Sequence, residues 1–490
     1  MKDAIVIGGG FGGIAASLRL RAKGYNVELF ERRAEIGGRA QVFTLDGFTH
    51  DAGPTVITAP FLFEELFSLF GKKLSDYITL VPVDPWYRFY FPDGTQFDYG
   101  GTLEDTLSEI SKFEPSDTQG YLELLKHSQN IFEVAFDELS DQPFHEFSLL
   151  FKTTPTLVKL KCYKTVWQLV STYLKNEKLR QAFSIQPLLL GGNPFDTTCI
   201  YSLIHFLERK WGIYFPIGGT GALVQAFKKL MTEEGIKITT NSTIEKIIVK
   251  NKKTKGVIID SGRKISADII VSNADPMHMY SSMISTGDQS ITARVKQRLS
   301  KVSMGLYVLY FGTRRTYSDV AHHTIWMGAR YKELLKDIFD RKILADDFSL
   351  YLHRPTATDP SFAPEGCDSF YVLCPVPNLL GSVDWEIEGP LLQKRIVSAL
   401  GNTILPGLTS TICSTFFMTP VDFKENYLTA FGSGFSIAPT FKQSAWFRFH
   451  NKAEGPKNLF LVGAGTHPGA GLPGVISSAK VVDKMIPRSN

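Results

Sequence analysis

The segment AIVIGGGFGGIAASLRLRAKGYNVELFER, residues 4–32, admits few folds. Ala4 to Ile7 is a short apolar run suited to a buried parallel strand, and Ile14 to Lys23 has helical apolar spacing that ends at Gly24. Between them Gly8, Gly10 and Gly13 fit the spacing GxGxxG, with Gly12 inside it. In a strand–turn–helix unit the first of these glycines makes the tight turn. The second lets backbone approach a pyrophosphate, and the third lets helix and strand pack closely. The helix N-terminus then turns its unpaired N–H groups toward the phosphates. Val27 to Phe30 makes the next strand, and Glu31, 18 residues after Gly13, stands at its end, where a ribose hydroxyl can donate to it. These residues predict an α/β dinucleotide-binding unit.

The residues that follow favour FAD over NAD. Gly37-Gly38-Arg39 and then Asp51-Ala52-Gly53-Pro54-Thr55 make a second small-residue region that sets a guanidinium near a pyrophosphate. At the other end of the chain, GAGTHPGAGLPGV spans residues 463–475. It follows a strand expected over Asn458 to Gly463 and precedes a helix expected over Pro473 to Lys484, with Gly474 and Val475 in its first turn. Such a loop and helix N-terminus can lie against a flavin ring, so both termini are expected to build one cofactor site.

A chain of 490 residues is too long for one core, and two or three domains are expected. The 36 phenylalanines suggest a large apolar interior or an apolar ligand, whereas 53 basic against 49 acidic residues argue against nucleic acid. Cys162, Cys199, Cys367, Cys374 and Cys413 lack metal-ligand spacing and are expected as reduced thiols, so no metal is predicted. The first apolar run belongs to the glycine motif and not to a cleavable signal, and no apolar stretch is long enough to span a bilayer. From Ile236, alternating apolar residues and turns predict a strand and hairpin, with Lys250, Lys252, Lys253 and Lys255 in a solvated turn. Ser148 to Asn176 holds five lysines and no acid among leucines, aromatics and Trp167. This segment is the candidate for membrane contact, with Lys159, Lys161 and Lys164 reaching headgroups; the competing reading is a core-facing helix with a basic outer face.

The glycine motif, terminal Glu and GGR resemble the amine-oxidase-like flavoproteins. WGIYFPIGGTGALV (Trp211 to Val224), His322-His323-Thr324-Ile325, PTATDPSFAPEG (Pro355 to Gly366), YVLCPVPNL (Tyr371 to Leu379) and GAGTHPGAGLPGV together resemble bacterial carotenoid desaturases of the phytoene-desaturase type, in order from residue 1 to about 482. Within that family the chain looks most like the 1-hydroxycarotenoid 3,4-desaturases. The resemblance implies a Rossmann-like FAD-binding domain of amine-oxidase or glutathione-reductase type, over 1–110, 211–299 and 441–490. A discontinuous α+β substrate domain is expected over 111–210 and 300–440. By the same resemblance Ile244 touches the adenine, and Gly465 and Thr466 face the ribityl and phosphate side. The implied reaction is desaturation of a carotenoid with FAD as hydride acceptor, at the inner face of the cell membrane, with a quinone or oxygen as final acceptor. His322, His323, His467 or a carboxylate are open as bases, and none is assigned. Phytoene or diapophytoene desaturation, flavin-dependent isomerisation, a non-catalytic carotenoid carrier and amine oxidation are the alternatives.

Overall fold

A computed structural model of the chain describes residues 1–145 and 147–489, apart from the side chains at 147 and 149–151. The N-terminal pattern folds as its spacing dictates. Strand Asp3–Ile7 leads into helix Phe11–Ala22, and strand Asn26–Phe30 returns parallel to the first, with Ile7 opposite Phe30. The complete parallel sheet has the order Leu459–Leu461, Ile269–Ser272, Asp3–Ile7, Asn26–Phe30, Lys237–Thr239. Ala4 to Ile7 and Ile269 to Val271 in its central strands are buried apolar residues because the sheet is covered on both faces. Helix Leu472–Met485 packs on helix Phe11–Ala22, so the two ends of the chain meet in one layer.

Strands Ile244–Lys250, Lys253–Ile259 and Lys264–Ser266 form the expected hairpin and a third strand. Lys250, Lys252, Lys253 and Lys255 are exposed there, and Asn251 and Lys252 turn the chain with positive φ.

The second layer is a seven-stranded sheet in the order Ile412–Met418, Gly305–Thr313, Asp368–Val376, Leu350–His353, His323–Trp326, Tyr87–Tyr90, Gln96–Tyr99. Its last two strands come from residues grouped by sequence with the cofactor unit. They belong to this sheet because their period-2 pattern buries Tyr87, Phe89, Phe97 and Tyr99 on one face, and Thr324 pairs with Arg88. Helices from residues 103–211 cover that face through Tyr121, Leu169, Leu179 and Phe183.

The lysine-rich segment divides in two. Helix Phe147–Lys159 exposes Lys152, Val158 and Lys159. Helix Val166–Tyr173 starts at a Thr165–Gln168 capping box and buries Val166, Leu169 and Val170, while Trp167 packs at a tilt against Phe195 and Tyr331. The second half is therefore a core-facing helix. Among the described residues no helix is long and apolar enough to cross a membrane.

Candidate functional site

Both chain ends and the seven-stranded sheet line one cavity of about 520 Å³. Gly8, Gly10, Glu31, Gly38, Arg39, Gly53, Pro54, Thr55, Ile244, Gly465, Gly474 and Val475 all contribute to its wall. Three of the predicted residues do not. Gly12 and Gly13 lie behind the wall as packing positions: a Cβ at Gly13 would stand 2.0 Å from the Gly8 carbonyl oxygen, and one at Gly12 would stand 3.1 Å from the Gly463 nitrogen. Thr466 is fully buried, and its hydroxyl donates to the Gly463 carbonyl at 3.0 Å, so it braces the C-terminal loop instead of facing a ribityl chain.

Gly10 caps helix Phe11–Ala22 with no side-chain hydrogen bond, which leaves the first-turn N–H groups to the cavity. Glu31 is buried at the edge of this turn, accepting the Gly9 N–H at 2.8 Å on one oxygen and the Arg33 N–H at 2.9 Å on the other. Each oxygen keeps a lone pair for a sugar hydroxyl. Arg39 has a buried Nε with no hydrogen-bond partner. Burial pulls its pKa down from the ordinary guanidinium value, and the Asp275 carboxylate opposes that shift. An unpartnered guanidinium, a bare helix N-terminus and an acid at the second strand end, on a wall largely of glycine, are the donor set a dinucleotide needs. The residues present fit FAD.

The C-terminal loop is held from beneath by Arg448, which sequence reasoning missed. Its guanidinium is fully buried and donates to the carbonyls of Thr466 (2.9 Å), Ala464 (2.6 Å), Ile437 (3.0 Å) and Gln443 (3.3 Å). Asn273, just past strand Ile269–Ser272, was missed too. Its side chain lies between the two glycine loops: a Cβ on Gly10, Gly12 or Gly463 would come within 2.8, 2.5 and 2.6 Å of it. The only sequence signal for Asn273 is its place after a buried parallel strand. Gly474 is in the first turn of the last helix, but the body nearest its missing Cβ is the Gly469 carbonyl oxygen, at 2.7 Å. Its smallness serves the loop's own packing as well as the cavity.

Away from the glycine wall the cavity is apolar, with Leu188, Leu189, Leu190, Ile200, Leu203, Leu207 and Phe435 along it. One carboxyl stands among them. Glu208, on helix Leu203–Trp211, is buried and accepts from the Tyr87 hydroxyl at 3.0 Å, while its other oxygen has no partner. Burial pushes its pKa up to about 8, against the smaller opposing effects of Tyr87 and Arg209. His467 also lines the cavity; its Nε2 lies 3.1 Å from the Leu139 carbonyl, and burial lowers its pKa to about 4. His322 and His323 do not line the cavity, and burial drives both well below the ordinary histidine value.

The family model of flavin containing amine oxidoreductases matches residues 11–482. A lycopene-forming phytoene desaturase of Pantoea ananas is 45% identical over 481 residues, covering 98% of each chain. A second, from Pseudescherichia vulneris, is 46% identical over 489 residues, covering 99% of each. Among solved structures, an oxidoreductase from Methanosarcina mazei shares the fold at a TM-score of 0.65 and 16% identity, over 98% of this chain and 100% of that one.

Proposed function

This chain belongs to the flavin-containing amine oxidoreductases and, within them, to the bacterial carotenoid desaturases, and on that footing we propose that it desaturates phytoene or a closely similar carotenoid. The observation that carries this reading is the single cavity that joins a dinucleotide-binding wall to a long apolar wall. A polyene matches the length of that apolar wall, on which Glu208 is the one carboxyl. The finer expectation of 3,4-desaturation of a 1-hydroxycarotenoid has less support, since both relatives named above are phytoene desaturases along nearly their whole length.

Bound FAD would supply a two-electron acceptor for the hydride of an allylic C–H bond beside a conjugated polyene. The chain's own residues do the rest. Leu188 to Leu190 and Ile200 to Leu207 hold the hydrocarbon and exclude water. Arg39 and the N-terminus of helix Phe11–Ala22 hold the pyrophosphate, and Glu31 the ribose. The second hydrogen leaves the adjacent carbon as a proton and needs an acceptor near its working pH. Glu208, pushed up to about 8 and with one buried oxygen that makes no hydrogen bond, fits that role better than His467.

A carotenoid reaches such a cavity from lipid. Helix Phe147–Lys159 touches the turn Ala445–Phe447, and Lys296 of helix Ile291–Leu299 donates to the Trp446 and Arg448 carbonyls, so these elements adjoin. They expose Val158, Phe447, Ile291, Val295 and Leu299 beside Lys152, Lys159, Arg294 and Arg298. This mixture supports peripheral contact with an anionic bilayer, on the cytoplasmic side. Electrons then pass to a quinone in that bilayer or to oxygen. The test is anaerobic: FAD-loaded protein mixed with phytoene in anionic vesicles should bleach at the flavin band and yield a more unsaturated product. Bleaching by a 1-hydroxycarotenoid but not by phytoene would restore the 3,4-desaturase reading; bleaching by amines alone would defeat both.

A further inference from the structure

Behind the cavity wall the strand pair His323–Trp326 and Leu350–His353 sets His323 directly opposite His353, with His322 one residue earlier. All three imidazoles are buried, and their ligand atoms lie within 4.8 Å of one another. The ring nitrogens are used selectively. His322 Nδ1 lies 2.6 Å from the Thr358 hydroxyl, and His323 Nδ1 lies 2.8 Å from the Tyr351 hydroxyl. Their Nε2 atoms, and both ring nitrogens of His353, have no hydrogen-bond partner. Asp51 lies beside His353: its Oδ1 accepts the Thr220 N–H at 3.1 Å, while its buried Oδ2 has no hydrogen bond and lies 3.8 Å from His353 Nε2.

Four unpartnered nitrogens and a carboxylate with only one of its oxygens hydrogen-bonded, in one dry spot, are costly unless something occupies the space between them. A hydroxyl on Nδ1 that leaves Nε2 free is the usual second-shell arrangement of a metal-bound histidine. We propose that His322, His323 and His353 form a site for one divalent cation of the zinc class, with the Asp51 carboxylate beside His353 to balance its charge. Nitrogens around zinc stand about 3.3 Å apart, from bonds of about 2.0 Å in a tetrahedron, so the rings need to close inward by roughly 1 Å. Three buried histidines make a structural site, closed by the surrounding side chains. It joins the strand carrying Asp51, next to the Gly53-Pro54-Thr55 wall, to the seven-stranded sheet, and the Tyr351 hydroxyl links it onward to Thr55 at 2.6 Å. The competing occupant is a proton on His353, paired with Asp51.

The test uses untagged, flavin-loaded protein and no turnover assay. Elemental analysis should find close to one zinc per chain, and zinc-edge absorption should show nitrogen and oxygen neighbours at about 2.0 Å with imidazole scattering and no sulfur. Chelator-treated protein given Co²⁺ should develop the visible bands of a tetrahedral site. The double variant His322→Gln, His353→Gln should lose the ion at least tenfold more readily while its flavin content is compared in the same sample. Protein that is metal-free as isolated and shows no Co²⁺ bands at wavelengths longer than the flavin's own absorption overturns the proposal in favour of the proton, as does an ion retained by the double variant. Should that variant fail to fold, the absorption data on the unaltered protein decide: sulfur or all-oxygen neighbours also overturn it.

Discussion

Glu208→Gln isolates the energetic consequence of burying a carboxyl in the apolar wall. The folded value of about 8 lies above the ordinary 4.5, so between those limits the folded protein binds more protons than the unfolded chain. Stability therefore falls as pH rises from about 4.5 through 8, relative to a neutral side chain of the same shape. With about 1.36 kcal/mol per pH unit of difference, the carboxyl costs roughly 3 kcal/mol at pH 7 and about 5 kcal/mol above pH 8. Glutamine keeps an acceptor for the Tyr87 hydroxyl and has no charge to desolvate. At about 2.1 cal/mol/K of unfolding entropy per residue, 490 residues give roughly 1 °C of Tm per kcal/mol. The variant should thus match the parent near pH 4.5 and exceed it by several degrees at pH 9 in paired melting scans of apoprotein. Infrared difference spectra should show a protonated carboxyl band that titrates near 8 and is missing from Glu208→Gln. A constant Tm difference across pH, together with a carboxyl band that titrates below about 6, would refute the desolvation argument and remove Glu208 as the proton acceptor.

Glu31→Ala removes the partner of the Gly9 and Arg33 N–H groups as well as the ribose acceptor; FAD retention through gel filtration should fall at least tenfold, and unchanged retention would detach Glu31 from the site. Arg39→Gln breaks no hydrogen bond at its Nε, so the apoprotein should melt within about 1 °C of the parent while FAD affinity drops. Gly13→Ala sets a Cβ 2.0 Å from the Gly8 oxygen and should destabilise by about 3 kcal/mol or more, whereas Gly474→Leu must first displace the Gly469 carbonyl and should lose flavin together with loop order, read by proteolysis at 463–475. Replacing Lys152 and Lys159 by Glu and Ile291 and Leu299 by Ser should weaken binding to anionic vesicles and leave flavin content intact; equal binding to neutral and anionic vesicles would point away from this face.

The glycine spacing of residues 8–13, the acid at 31 and the apolar strand before 463 are local patterns, each fixed by a turn, a period or a close approach. The sequence alone therefore determined the first strand–helix–strand unit and most of the residues that line one wall of the cavity. It also determined that both termini meet, because each supplies a glycine loop that is complete only against a second body. It did not determine that Thr466 turns inward, that residues 87–99 join the other sheet, or that Lys161 and Lys164 are only half-exposed. Arg448 under the C-terminal loop, Asn273 between the two glycine turns, Glu208 in the apolar wall and His353 opposite His323 were decided by tertiary structure. Each of these owes its role to partners far away in the chain. Desolvation and long-range pairing set what such a side chain does, and neither leaves a period in the sequence.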